Sequence, residues 1–243
     1  MKNKFKLLSV GDGIQVQASG WSFGGETVTN FDKQVRQSIP LYAEGHQLIC
    51  RLSEFFVRQD STCYELGTSL GTLVAELAKH HLAKEDVSWI GVDQESEMIA
   101  QAKKNFGNVS NIDFQVSSLE SLEFKKTDLV VSYYTLQFAP AEARQEICNK
   151  IYNSLNKGGA FIVFEKVRAN SAKAQDYFNQ TYSDFKLDQG YTAEEVLNKS
   201  ISLKSILEPF SAETNVNMFR KAGFEEVTSV MKWLCFEGWL CVK

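Results

Sequence analysis

The stretch YELGTSLG, Tyr64 to Gly71, decides the fold. The apolar run that leads into it, STCYEL (61–66), reads as a strand. The segment that leaves it, GTLVAELAKHHLA (71–83), has apolar residues at helical spacing. A glycine-bearing turn between a buried strand and an amphipathic helix opens a doubly wound α/β sheet. In such sheets ligands bind at the carboxyl ends of the strands.

Outward from this turn, strand and helix alternate. VSWIGVD (87–93), IDFQV (112–116), TDLVVSYY (127–134) and AFIVFEK (160–166) are predicted strands, and SEMIAQAKKNF (96–106) a helix. The strands are apolar runs more than alternating patterns, as parallel strands covered on both faces require. Pro140 is expected to open a long helix through Leu155, and NKGG (156–159) to stop it as a turn. Residues 168–208 carry two helical stretches and no strand, which reads as an insertion over the end of the sheet. A helix at 211–222 and two closing strands that form a hairpin complete the pattern. Upstream, residues 1–30 are glycine-rich and read as irregular, with Pro40 as a break before a helix that holds Leu48, Ile49, Leu52, Phe55 and Phe56. The expected architecture is one α/β domain over residues 1–243. It has a Rossmann-like, mostly parallel seven-stranded sheet ending in an antiparallel hairpin, an arm or lid at 1–40 and a helical insertion at 168–208.

The turn is short of a dinucleotide fingerprint: G-T-S-L-G stands where G-x-G-x-x-G would cradle a pyrophosphate. No Gly-Lys-Ser/Thr follows, so the Walker pattern fails too. Glu65 before the turn disfavours a phosphate and suits an ammonium. Asp93, closing the second strand, stands where an acid takes two ribose hydroxyls. A ribose acceptor without a phosphate cradle points to a sulfonium nucleoside, S-adenosylmethionine. Gly67, Thr68, Ser69 and Gly71 of the turn, with Asp93 and the adjacent Gln94, are the candidate contacts.

Composition narrows the remaining classes. The net charge is −4, and the lysine pairs at 103–104 and 125–126 are short. Direct nucleic-acid binding would call for a basic face, which the sequence does not supply. No run is apolar and long enough for a membrane span, and the start is too weak for a secretory signal. Five scattered cysteines without a CxxC pair argue against a disulfide framework or a zinc site, so no metal is expected and a reducing cytosol fits best.

The chain resembles class I S-adenosylmethionine-dependent methyltransferases and, more narrowly, the carboxy-S-adenosylmethionine synthase family. The likeness runs from WSFGGETVTNFDKQVRQSIPLY (21–42) through YELGTSLG, GVDQESEMI (91–99), TLQF (135–138), KIYNSLNKGGAFIVFEK (150–166) and DFKLDQGY (184–191) to AETNVNMFRKAGF (212–224). The resemblance implies a homodimer that uses prephenate to turn the methyl sulfonium into a carboxymethyl sulfonium, later spent on a tRNA wobble uridine. It implies that Tyr42, Gly67, Thr68, Ser69 and Asp93 touch the cofactor. Four positions depart from the family pattern. Ser118-Leu119 replace Asp-Ile beside the adenine, Tyr133 replaces an asparagine, and Ser200 replaces the arginine that grips the carboxylated cofactor. A serine cannot make a bidentate, charge-assisted pair. Lys204, one helical turn on, could supply a charge with different geometry, and Lys199 is expected to point elsewhere.

Losing that arginine favours ordinary S-adenosylmethionine. The expected activity is therefore methyl transfer to a small-molecule acceptor such as a keto acid or amino acid. Two alternatives stay open: a carboxy-S-adenosylmethionine synthase with Lys204 standing in, and a non-catalytic nucleoside-binding module. Methyl transfer is an in-line displacement in which positioning does much of the work. Candidate catalytic groups are Tyr133, Tyr134 and Glu165, with His46 read as a surface residue. Trp21 and Phe23 of the arm, Ser200 and Lys204 are candidate substrate contacts. Tyr177, Phe178, Tyr182, Phe185 and Tyr191 of the insertion could help close the pocket.

Overall fold

The computed structural model describes residues 7–11 and 13–243; the first six residues and Asp12, part of the predicted arm, lie outside it. The arm is not irregular throughout. β1 (Leu8–Ser9) and β2 (Gln15–Val16) pair antiparallel, and α1 (Glu26–Ser38) follows. The sequence reading missed this helix because its mean hydropathy is low. Val28, Phe31 and Val35 nevertheless recur at helical spacing. Ile39 is extended before Pro40, which ends α1, and α2 (Tyr42–Ser53) starts two residues later.

The chain then follows the expected alternation: β3 (Thr62–Leu66), α3 (Thr72–His80), β4 (Ser88–Asp93), α4 (Ser96–Phe106), β5 (Ile112–Val116) and β6 (Thr127–Tyr133). Pro140 does not open the next helix. Residues 140–143 form a turn, and α5 (Arg144–Ser154) begins at Arg144. The Arg144 guanidinium fixes that entry by donating to the carbonyls of Gln137, Ala139 and Glu208. NKGG is also not a free turn. β7 (Leu155–Lys166) starts directly after α5, and its register against β6 shifts between Thr127 and Leu129. Gly158 sits at φ +78° within that irregular stretch, and its amide donates to the Lys243 carbonyl. α6 (Ala172–Asp188) and α7 (Ala193–Ser202) form the insertion. Thr192 and Glu195 start α7 with a reciprocal capping box. α8 (Ala212–Ala222), β8 (Glu226–Trp233) and β9 (Phe236–Val242) close the chain.

The strand order of the main sheet is β5-β4-β3-β6-β7-β9-β8. β3 to β7 run parallel, and β9 is antiparallel to both β7 and β8. Successive residues feed opposite cores, as a period of two requires. Cys63, Trp89, Leu129 and Ile162 face one side, while Tyr64, Ile90, Val130 and Phe161 face the other. Phe161 and Phe164 are fully buried, and each stabilises the fold by about 3 kcal/mol through burial. The order reverses between β3 and β6, the place where such a sheet opens a crevice. The arm and the insertion meet above it. Asn198 donates to the Ser9 carbonyl, and the amides of Ser19 and Trp21 donate to the carbonyls of Ile201 and Ser202. Among the described residues, no helix is long and apolar enough to cross a membrane.

Candidate active site

A cavity of about 1010 Å3 lies over the crevice, walled by the strand-end loops, α1, the start of α2, and the two insertion helices. Its floor is the turn after β3. Gly67, Ser69 and Gly71 all take positive φ, at +71°, +50° and +81°. Only glycine adopts such geometry freely, so Ser69 stands in for a glycine at a cost of about 1 kcal/mol. Gly67 has a second reason. A Cβ there would lie 2.1 Å from Thr135 Oγ1. Gly67, Thr68 and Ser69 line the cavity. Gly71 does not. It packs the start of α3 against the sheet, where an added Cβ would meet Phe114 and Phe106 at 3.0 and 3.1 Å.

Glu65 lines the cavity but is buried, and its carboxylate is engaged inward. Oε2 accepts the Thr68 hydroxyl and, at 3.0 Å, the Val74 amide. Burial pushes its pKa up to about 8, against those two hydrogen bonds. Through Oε2, Glu65 therefore shapes the turn and caps α3, while the residue also lines the cavity where an ammonium was expected. Asp93 also lines the cavity. Its Oδ2 accepts the Ser69 amide and its Oδ1 the Glu95 amide, each at 2.9 Å. Burial raises its pKa, opposed by the Glu95 and Ser69 amides. Gln94 and Leu119 line the same end; Ser118 does not. The Ser118 hydroxyl closes a local turn with Ser121, and Ser117, whose amide bonds the Asp93 carbonyl, takes its place on the wall.

Tyr42, Tyr133 and Tyr134 form an aromatic wall, with Tyr133 centred 5.1 Å from Tyr42 and 4.7 Å from Tyr134. Tyr133 donates its hydroxyl to the Tyr42 carbonyl at 2.8 Å. A Cβ on Gly45 would lie 2.1 Å from that hydroxyl, so Gly45 makes room for it. Burial pushes all three phenols well above their usual range. They are donors and walls rather than bases, and Tyr133 already spends its proton. Tyr134 holds φ +61°, an uncommon geometry for an aromatic residue. Gln137 braces it, donating to the Tyr134 carbonyl and accepting the Lys166 amide.

Two catalytic candidates lie elsewhere. Glu165 is buried and does not line the cavity. Burial raises it to about 8, moderated by Arg144 and by the Gln137 and Leu136 amides. It alternates to the other face of β7, which periodicity alone could have signalled. His46 is buried rather than at the surface, with Nδ1 2.9 Å from Glu76 and its ring against Tyr42 and Tyr133.

Trp21 and Phe23 line the cavity beneath the arm, and Phe23 meets Phe138 edge to face at 4.9 Å. Ser200 and Lys204 line it from the insertion, both exposed. Lys199 lines it too, with Nζ 4.7 Å from the Trp21 ring, which corrects the expectation that it points away. Of the five insertion aromatics, Tyr182 alone lines the cavity; Phe178 packs into the core beneath, and Tyr177 faces outward. The reading missed Gln137, Lys166 and Lys186 on the wall. Lys186 stands within the DFKLDQGY stretch, where the spacing marks a helix but not the cavity side.

The donor set fits a sulfonium nucleoside. Asp93 offers carboxylate oxygens at a strand end, Leu70, Met98 and Leu119 give apolar walls, and the turn carries no cation for a phosphate. Residues 64–159 match the family model described as a methyltransferase domain. The chain is 34% identical to the carboxy-S-adenosyl-L-methionine synthase of Staphylococcus epidermidis, over 92% of this chain and 97% of that one. It is also 34% identical to the protein of that name from Campylobacter lari, over 92% and 94%. Among solved structures, human N-acetylserotonin methyltransferase in complex with S-adenosylmethionine superposes with a TM-score of 0.59. That match has 16% identity and covers 92% of this chain and 60% of that one. An S-adenosylmethionine-dependent methyltransferase from Aquifex aeolicus also gives 0.59, with 14% identity over 91% and 99%. These structural likenesses carry the fold.

Fold and relatives together define an S-adenosylmethionine-dependent transferase of the class I methyltransferase type. Within that class, the chain belongs to the carboxy-S-adenosyl-L-methionine synthase family.

Proposed function

We propose that the chain transfers the methyl group of S-adenosylmethionine to a small molecule, such as a keto acid or amino acid, held under the arm and insertion. The observation that carries this reading is Ser200. It lines the cavity and offers only a neutral hydroxyl where the resemblance implies a carboxylate-gripping arginine. The cavity lies at the upper end of the range for small-molecule sites, which leaves room for an acceptor beside the nucleoside.

The cofactor supplies an electrophilic methyl on a sulfonium. Asp93 would hold the ribose hydroxyls, with the Ser69 turn locked beside it. Ser117, Leu119 and Met98 would flank the base. Tyr42, Tyr133 and Tyr134 exclude water from the transfer zone and keep their protons. Holding nucleophile and methyl in line can supply much of the acceleration, so few groups need act chemically.

A second reading is synthesis of the carboxylated cofactor from prephenate. It is favoured by Lys199 and Lys204 on the wall beside Ser200 and by the name that the relatives share. In either reading the enzyme is a cytosolic homodimer that does not bind nucleic acid directly; light scattering and gel-shift measurements check both points. The deciding experiment incubates the enzyme and S-adenosylmethionine with a panel of keto and amino acids, with and without prephenate. The methyl-transfer reading expects the demethylated nucleoside with an acceptor and no carboxylated nucleoside with prephenate. Prephenate-dependent carboxylated product supports the second reading, and absence of any turnover supports a binding module.

A further inference from the structure

Three lysines line the cavity away from the acids at the ends of β4 and β5. Lys166 ends β7, Lys186 lies on α6 and Lys199 on α7. Of the acids that line it, Asp93 ends β4, Glu95 and Glu120 follow β4 and β5, Glu65 lies in β3 and Asp32 on α1. In the sheet, β3 and β6 separate β4 and β5 from β7, so one cavity has an acidic end and a cationic end.

The cationic end is crowded. Lys166 Nζ lies 4.1 Å and Lys186 Nζ 4.7 Å from the centre of the same Tyr182 ring. Lys199 Nζ lies 4.7 Å from the Trp21 ring and 5.7 Å from the Tyr191 ring. Lys186 is only 7% exposed. Among the described residues no carboxylate pairs with Lys166 or Lys186. Ring faces attract an ammonium, but by less than burying a charge costs. The nearby charges make matters worse for Lys186. After burial itself, Lys166 and Lys199 push its pKa down, to about 8. A negative group seated beside Lys166 and Lys186 would stabilise both as ammonium groups.

We propose that Lys166, Lys186 and Lys199 form an oxyanion subsite that holds a carboxylate or phosphate group of the acceptor. This names the acceptor class and rests on the reading that an acceptor shares the cavity with S-adenosylmethionine. Held there, the acceptor's anionic end lies towards β7 and the insertion, and its nucleophile faces the strand-end loops. Binding returns Lys186 to its charged form, so above pH 8 it takes up a proton.

Calorimetry on the full chain tests this, with succinate, its neutral diamide and inorganic phosphate as probes and S-adenosylmethionine titrated separately. Succinate or phosphate is expected to bind and the diamide not, the preferred anion separating a carboxylate from a phosphate acceptor. At pH 8.5, buffers of different ionisation enthalpy are expected to reveal proton uptake. Lys186→Met is expected to abolish that uptake and weaken the anion about tenfold or more, with S-adenosylmethionine affinity within about threefold. Its melting temperature is expected to hold or rise, because a buried charge is removed, and Lys199→Gln is expected to weaken the anion without affecting folding. Equal binding of the diamide, unchanged anion affinity in both variants, or a matching loss of S-adenosylmethionine affinity would each overturn the subsite. Anion binding by a protein that does not bind S-adenosylmethionine would sink the transferase reading and leave the subsite standing.

Discussion

Asp93 accepts the Ser69 amide at 2.9 Å, so the acid that closes β4 and the turn that closes β3 are one unit. Ser69 needs that support because it holds φ +50° without being glycine. Asp93→Ala removes both the proposed ribose acceptor and the support. It is expected to weaken S-adenosylmethionine about ten- to hundredfold by calorimetry, the range for a hydrogen bond to a charged group. Asp93→Asn keeps one acceptor and is expected to lose less. Unchanged affinity in both would place the ribose elsewhere.

Gly67 and Thr135 set the tightest contact of the turn. Gly67→Ala adds a Cβ 2.1 Å from Thr135 Oγ1 at φ +71°, and it is expected to destabilise the protein by about 2–4 kcal/mol in urea. Thr135→Gly in the same chain removes the clashing side chain. It is expected to recover most of the loss and to leave about 1 kcal/mol from the positive φ.

The strand-turn-helix unit was legible because burial on both faces writes apolar strands, and because few residues tolerate the geometry of that turn. Asp93 was legible from its place at a strand end. Other features were not. α1 carries too many polar residues to announce itself, and NKGG looks like a free turn because sequence does not show that it bulges from β7 and is tied down by Lys243. Glu65 reads as a free acid because sequence does not show that Thr68 and Val74 occupy it. The lysine cluster is assembled from β7, α6 and α7, and no local pattern records that meeting.

Buried acids set the pH response. Glu65 and Glu165 are both raised to about 8 by burial, from ordinary values near 4.5. Between those values the folded state holds protons that the unfolded state has released, so stability falls as pH rises towards 8. His81, lowered to about 4 by burial, acts oppositely, its contribution growing from pH 4 to 6.5. The clean window is therefore about pH 6.5–7, because Lys186, lowered to about 8, begins to release its proton above it and opposes the acids. There each acid contributes a decline of at most about 1.4 kcal/mol per pH unit. Glu165→Gln is expected to flatten the slope by about half in denaturant titrations across that window. An unchanged slope would show that Glu165 is already ionised in the folded protein.

The methyl-transfer proposal rests on Ser200, which lines the cavity with a neutral hydroxyl. Ser200→Arg places a guanidinium on the cavity wall and is expected to raise affinity for the carboxylated nucleoside about tenfold relative to S-adenosylmethionine. No change in that ratio would mean that the position does not face the carboxylate.

The most direct measurement is mass spectrometry of the small molecule released from freshly purified protein. S-adenosylmethionine or its demethylated product is the expected result, in keeping with a serine at position 200. The carboxylated nucleoside would contradict the methyl-transfer account and assign the role of the missing arginine to the neighbouring lysines.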